Sequence, residues 1–210
     1  MTYIENVFIC LAAPLIVAVL CTAGPRRRSL LFILSGMVTC LISAYINSFF
    51  ALILGADARA ASVEIAPVVE EIMKLLPVLF YLLVFEPRGS AVAGEALMVA
   101  VGFATLENAC YLIVNGAEEA LRLLIRGFST GAMHVACGAI TAIGMARLWE
   151  RLSLRVAGTL GALCLSITWH GIFNILVDQT GAVAVVGYTL PILTGIGTVL
   201  LRRRFFPSEQ

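Results

Sequence analysis

The stretch PVVEEIMKLLPVLFYLL, residues 67–83, places three charged side chains inside an otherwise apolar run. A charged side chain at the centre of a membrane helix costs about 2.5–3.5 kcal/mol on insertion scales. Glu70 and Glu71 are adjacent, and Lys74 lies at i,i+4 from the first and i,i+3 from the second. The lysine can therefore pair with either carboxylate, which lowers the insertion cost without removing it. The cost that remains indicates a function for these charges.

The composition of the whole chain is that of a membrane protein. Of its 210 residues, 60% are hydrophobic and only 13% are charged, whereas soluble domains carry about 25% charged residues. The formal net charge is +1, which argues against a nucleic-acid partner bound by phosphate neutralisation. The predicted environment is therefore a lipid bilayer.

Seven apolar segments reach membrane-spanning length, for which about 20 residues are needed. They lie near residues 4–23, 30–54, 63–85, 91–114, 127–148, 156–177 and 181–201. Their connections are short, and no internal repeat is visible. We predict an all-α polytopic protein with a single integral membrane domain over residues 1–210. The amphipathic stretch AEEALRLLIRGF, residues 117–128, either lies in the membrane interface or extends the fifth segment.

The arginines predict the orientation, because Lys and Arg near helix ends stay on the cytoplasmic side. With seven spans, ten arginines fall on one side, namely Arg26, Arg27, Arg28, Arg88, Arg147, Arg151, Arg155, Arg202, Arg203 and Arg204. Only Arg59, Arg122 and Arg126 fall on the other. We therefore predict an N-terminus outside and a C-terminus in the cytoplasm.

Polar side chains recur at one predicted depth in the third to sixth segments, residues 63–177. Beyond the charges of the opening stretch, these side chains are Glu107, Asn108, His134, His170 and Asn174. Each lies within about two helical turns of the end that is predicted to face outside, at 3.6 residues per turn. The four helices are thus predicted to share a polar layer roughly 5–12 Å below the outer surface.

These residue types are suited to hydrolysis by water. A carboxylate in a poorly solvated pocket can act as a general base, and a histidine and an asparagine at i,i+4, as in His170 and Asn174, can donate hydrogen bonds to a developing oxyanion. Glu70 and Glu71 point about 100° apart on a helix, so only one of them can face the site. We predict that Glu70 activates water and that Glu71 supports it through Lys74.

Four motifs in this order resemble a known family. EEIMK matches an EExxK motif, GFATLEN an FxxxEN motif, MHVACG an isolated histidine and HGIFN an HxxxN motif. Over residues 64–177 they resemble the PrsW family of intramembrane proteases, which is related to the type II CAAX prenyl endopeptidases and the CPBP group. Those relatives carry EExxxR and FxxxH motifs, so Glu107 stands where they have a histidine.

The resemblance implies a glutamic intramembrane protease of a prokaryotic cell membrane, acting on a membrane-anchored protein. PrsW proteins are associated with site-1 cleavage of anti-sigma factors. The implied catalytic residues are Glu70, Glu71, Glu107, His134, His170 and Asn174, with Lys74, Asn108 and Phe103 in support.

Two alternatives use the same residues. In the first, His134, His170 and either Glu107 or Glu70 hold zinc with one open coordination position. The chain has no HExxH motif, and metal-free chemistry without a cofactor is the preferred expectation. In the second, the chain is a non-enzymatic proton or ion pathway or a scaffold. Against a transporter, no inverted repeat is visible, and the polar layer does not continue to the cytoplasmic side.

Overall fold

The computed structural model describes residues 4–86, 89–116, 120–149 and 152–205. Within these ranges the chain is helical and contains no strand, which confirms the predicted all-α class. The elements are α1 (Ile4–Cys21), α2 (Gly24–Leu54), α3 (Ala58–Ala60), a π-helix (Ala61–Ile65), α4 (Ala66–Phe85), α5 (Gly89–Asn115), α6 (Ala120–Leu148), α7 (Leu152–Val177) and α8 (Ala182–Phe205).

The seven long helices correspond one to one with the seven predicted segments. Over the described part of the chain, five of them, α1, α2, α5, α6 and α7, are long and apolar enough to cross a membrane. Helix α4 carries the charges of the opening stretch, and α8 has a shorter apolar run, Ala182–Gly197. The protein is an integral, multi-pass membrane protein. The number of spans and the orientation stay predictions, and two of the arginines on which they rest, Arg88 and Arg151, lie outside the described residues.

The amphipathic stretch before the fifth segment extends a helix. Its residues 120–128 form the beginning of α6, which runs without interruption to Leu148. Residues 117–119 lie outside the described ranges. Of the two readings of this stretch, the structure therefore has the longer helix, and Arg126 lies within α6 two turns before His134.

Helix α5 packs against α2 on one side and α6 on the other. A Cβ atom added at Gly36 of α2 would lie 2.0 Å from the carbonyl oxygen of Val99, and one added at Gly102 of α5 would lie 2.0 Å from that of Ile33. Only glycine permits backbones to approach this closely. The crossing fixes the rotation of α5, and the side chain of Phe103, next to Gly102, is fully buried.

The π-helix before α4 leaves the carbonyl group of Ser62 without its usual helical hydrogen-bond donor. The N–H of Ala66 donates to Ala61 O, five residues back, so Ser62 O loses the donor that an α-helix would supply. The next residue, Pro67, has no N–H to offer. The carbonyl group of Ser62 is therefore left for a partner outside its own helix, and π-helical turns of this kind are frequent at functional sites.

Candidate active site

The structure brings the nine predicted side chains together between α4, α5, α6 and α7, in two layers. The buried layer consists of Glu71, Lys74 and His134, whose relative exposures are 3%, 6% and 0%. The cavity layer consists of Glu70, Glu107, His170 and Asn174, which line one cavity. Phe103 packs its ring 5.0 Å from that of His134, and Asn108 lies beside the cavity layer.

The ammonium group of Lys74 fixes the tautomer of His134 in the buried layer. Its Nζ donates to Glu71 Oε1 at 2.6 Å and lies 2.9 Å from His134 Nδ1. An ammonium group has donors only, so Nδ1 accepts and the proton of a neutral His134 is assigned to Nε2. This nitrogen lies 2.5 Å from Glu107 Oε2. The buried layer thus ends in a hydrogen bond to a cavity carboxylate.

The carboxylate of Glu71 fixes the tautomer of His170. Its Oε1 lies 2.7 Å from His170 Nδ1, and a carboxylate oxygen accepts hydrogen bonds, so the proton is assigned to Nδ1. In a neutral imidazole with this tautomer, the Nε2 of His170 carries the lone pair, and it lies 3.8 Å from Glu70 Oε2. A nitrogen acceptor and a carboxylate oxygen therefore face each other.

The cavity is polar and has a volume of about 140 Å³, which gives room for several water molecules. Besides the cavity layer, its lining consists of Ser62, Ala66, Arg126, Thr130, Phe173, Val177 and Tyr188. The buried layer does not contribute to this lining. Of the two adjacent glutamates, Glu70 lines the cavity and Glu71 does not.

Asn47 of α2 is a contact that the sequence analysis missed. Its Nδ2 donates to Glu70 Oε1 at 3.3 Å, and its buried Oδ1 has no hydrogen-bond partner in the described part of the chain. The available signal was a lone amide in an apolar run, INSFF at residues 46–50. Helix α2 therefore helps to hold the carboxylate of Glu70, although no motif lies on it.

Asn174 joins α7 to the π-helix. Its Nδ2 donates to Ser62 O at 2.9 Å, the carbonyl group that the π-helix leaves without a helical donor. Asp178 follows Asn174 by about one turn, and its Oδ2 accepts a hydrogen bond from Arg59 Nε at 2.5 Å. These two contacts hold residues 59–62 against the end of α7, at the edge of the cavity.

Arg126 is a second functional candidate, which the sequence analysis placed in the amphipathic stretch and not in the site. Its Nη2 lies 3.8 Å from Glu107 Oε1, and its Nη1 donates to Asn108 Oδ1 at 3.3 Å. The guanidinium carbon lies 3.2 Å from the ring centroid of Tyr111. Asn108, whose Nδ2 also donates to Gly127 O at 3.3 Å, therefore holds an arginine in place.

Among the described residues, three side chains are candidates for holding a metal ion. One ligand atom each of Glu70, His134 and His170 lies within 4.8 Å of the others. His170 fits, because metal-binding histidines usually donate their other N–H to a group such as the carboxylate of Glu71. His134 does not fit as it lies, because Lys74 and Glu107 contact its two nitrogens. Metal binding at Nε2 would place a proton on Nδ1, facing the ammonium group of Lys74.

The comparisons with known proteins agree with the motifs. The family model described as PrsW family intramembrane metalloprotease matches residues 24–199. No curated protein and no solved structure matches the chain. The matched range contains both layers of the site and all four motifs. The resemblance is thereby confirmed, and the chain belongs to the PrsW family of intramembrane proteases.

Proposed function

We propose that the protein is a glutamic-type endopeptidase that hydrolyses a peptide bond of a membrane-anchored protein. The observation that carries the proposal is the 3.8 Å separation of Glu70 Oε2 and His170 Nε2 at the wall of a polar cavity that has room for several water molecules. Two hydrogen bonds of about 2.8 Å from one water molecule can span this distance. Glu71 has no such position, because it is buried against Lys74 and His170.

In the proposed reaction, the oxygen of this water attacks the carbonyl carbon of the scissile peptide. Glu70 takes the proton that the water gives up, and a tetrahedral intermediate forms. The C–N bond then breaks, and Glu70 passes the proton to the leaving amine. A positioned general acid–base group of this kind contributes about 10²–10⁴-fold to a rate.

Glu107 is proposed to remain a hydrogen-bond acceptor throughout the reaction. It is held by His134 Nε2 at 2.5 Å and has Arg126 as a counter-ion at 3.8 Å. A carboxylate with these partners is suited to accept a main-chain N–H of the substrate. His134 then acts from the buried layer, as a neutral donor whose tautomer is fixed by Lys74.

The cut is proposed to lie near the outer surface, with seven spans and the N-terminus outside. Glu70 follows the beginning of α4 at Ala66 by about one turn, and His170 precedes the end of α7 at Val177 by about two turns. These are the helix ends that the distribution of arginines assigns to the outer side. Such a position suits site-1-type cleavage of a single-pass protein such as an anti-sigma factor.

The test is cleavage of a single-pass membrane protein by the purified chain in proteoliposomes. We expect Glu70→Gln, Glu107→Gln and His170→Ala to lose cleavage. The matched control is Glu64→Gln, which removes an exposed carboxylate from the π-helix six residues before Glu70. Retained cleavage in all three site variants would contradict the proposal. A wild-type chain that cleaves nothing but conducts protons would favour the non-enzymatic alternative.

A zinc-dependent form of the same hydrolysis is the second candidate, since Glu70, His134 and His170 offer three ligand atoms within 4.8 Å. Zinc bound there would supply Lewis-acid activation of water. The test is treatment with a chelator such as 1,10-phenanthroline, together with measurement of the metal content. We expect cleavage to survive. Loss of cleavage that added zinc restores would favour the zinc form instead.

A further inference from the structure

The tetrahedral intermediate of the proposed reaction needs a hydrogen-bond donor for its oxyanion. The sequence analysis assigned this role to His170 and Asn174. In the neutral tautomer assigned above, the Nδ1–H of His170 donates to Glu71, which leaves Nε2 as an acceptor. The amide of Asn174 donates to Ser62 O at 2.9 Å. The donors expected from sequence are therefore partly committed to other partners.

Arg126 lines the same cavity. Among the residues of the cavity lining, taken over the described part of the chain, it is the one with a permanent positive charge. A guanidinium group presents five N–H donors in a fixed plane. In the low-dielectric surroundings of a membrane protein, a cation interacts with a developing negative charge more strongly than it would in water.

The neighbours of Arg126 fix the position of its guanidinium group, and Glu107 does not form a direct hydrogen-bonded ion pair with it. Stacking on Tyr111 at 3.2 Å and the hydrogen bond to Asn108 fix the plane of the guanidinium group. Among the described residues, the nearest carboxylate contact, 3.8 Å to Glu107 Oε1, is longer than a hydrogen bond. The side chain is 20% exposed, so it borders the cavity. An arginine kept only as a structural counter-ion would be expected to bind Glu107 directly.

We propose that Arg126 binds the oxyanion: its guanidinium group donates to the carbonyl oxygen of the scissile peptide, and the bond strengthens as negative charge develops there. This inference rests on the proposed protease function and names a further catalytic residue for it. The ligand is the main-chain carbonyl group of the substrate, so Arg126 contributes to turnover and does not select the sequence that is cut.

The test separates turnover from binding in proteoliposomes. We expect Arg126→Gln to lower kcat by about 10²–10³-fold, the usual loss for one oxyanion donor, while KM stays within about threefold because the contact strengthens only in the transition state. Arg126→Lys keeps the charge and should recover part of kcat. The control is Arg122→Gln, which removes an exposed arginine one turn earlier on the same helix and should leave kcat unchanged.

A second measurement tests whether Arg126 contributes to the binding of intact substrate. In a Glu70→Gln background, the affinity for intact substrate should be the same with and without Arg126→Gln. A raised KM with unchanged kcat would overturn the inference and make Arg126 a substrate-binding residue. Turnover at the wild-type rate would also overturn it, while the proposed function stood. An inert wild-type chain would instead overturn the proposed function. If Arg126→Gln does not fold, Arg126→Lys decides through the same comparison of kcat and KM.

Discussion

Glu70 and Glu71 are neighbours in sequence and lie in different environments. The Glu71 side chain is 3% exposed and has two close partners, Lys74 at 2.6 Å and His170 at 2.7 Å. The Glu70 side chain is 13% exposed, receives one long hydrogen bond from Asn47 at 3.3 Å, and lines the cavity. The carboxylate of Glu71 in the buried layer thus has two close partners, whereas the carboxylate of Glu70 in the cavity layer has one long hydrogen bond.

This difference indicates a division of labour. Groups that hold a reacting constellation in place need their own hydrogen bonds satisfied, as those of Glu71 and Lys74 are. Groups that take part in the reaction need capacity left for water and substrate, as Glu70 has. Substitutions in the two layers are therefore expected to fail in different ways, through loss of fold in the buried layer and through loss of turnover in the cavity layer.

The largest expected effect is that of Glu70→Gln on turnover. Removal of the general base should lower kcat by about 10²–10⁴-fold. The thermal unfolding midpoint should stay unchanged, because glutamine keeps the shape and can still accept the hydrogen bond from Asn47. Cleavage rates and unfolding curves of the same preparation measure both. If Glu71→Gln stopped turnover at full stability while Glu70→Gln remained active, Glu71 would be the general base and Glu70 the supporting residue.

The next effect is that of Lys74→Met on stability. Breaking a buried ion pair by removing one partner typically costs about 3–5 kcal/mol, because the remaining charge stays buried. We expect Lys74→Met to lower the free energy of unfolding by this amount, as measured by denaturant titration in mild detergent. The double variant with Glu71→Gln should recover part of the loss, because no unpaired charge remains. Strictly additive losses in this double-mutant cycle would show that the pair is not coupled.

The helices and the members of the site could be predicted because charges in apolar helices are costly. Glu107, His134 and His170 lie in runs with few other polar groups, and such groups persist where they meet one another. Their position along antiparallel helices then predicted that they lie at one depth in the membrane. The spacing of Lys74 allowed an ion pair with Glu70 or with Glu71, and the structure contains the pair with Glu71.

The rest depends on contacts that no side-chain pattern encodes. The partner of Asn174 is a main-chain carbonyl group, that of Ser62, which is exposed by a π-helix and a proline. Asn47 meets Glu70 only through the packing of α2 against α4. Arg126 looked like an interface residue, because its place in the cavity depends on α6 beginning at Ala120. The roles of the site residues stay predictions until variants are measured.

The smallest expected effect concerns the exposed ion pair of Arg59 and Asp178, a third environment beside the two layers. The hydrogen bond from Arg59 to Asp178 raises the pKa of the guanidinium group above its usual value, so the arginine stays charged at physiological pH. It should respond to salt, since the Debye length falls from about 10 Å at 0.1 M to about 3 Å at 1 M. We expect Asp178→Asn to slow cleavage less than about twofold at low salt, the small effect typical of exposed pairs, and the difference to vanish in high salt. A salt-independent loss of turnover would instead assign Asp178 to the cavity layer.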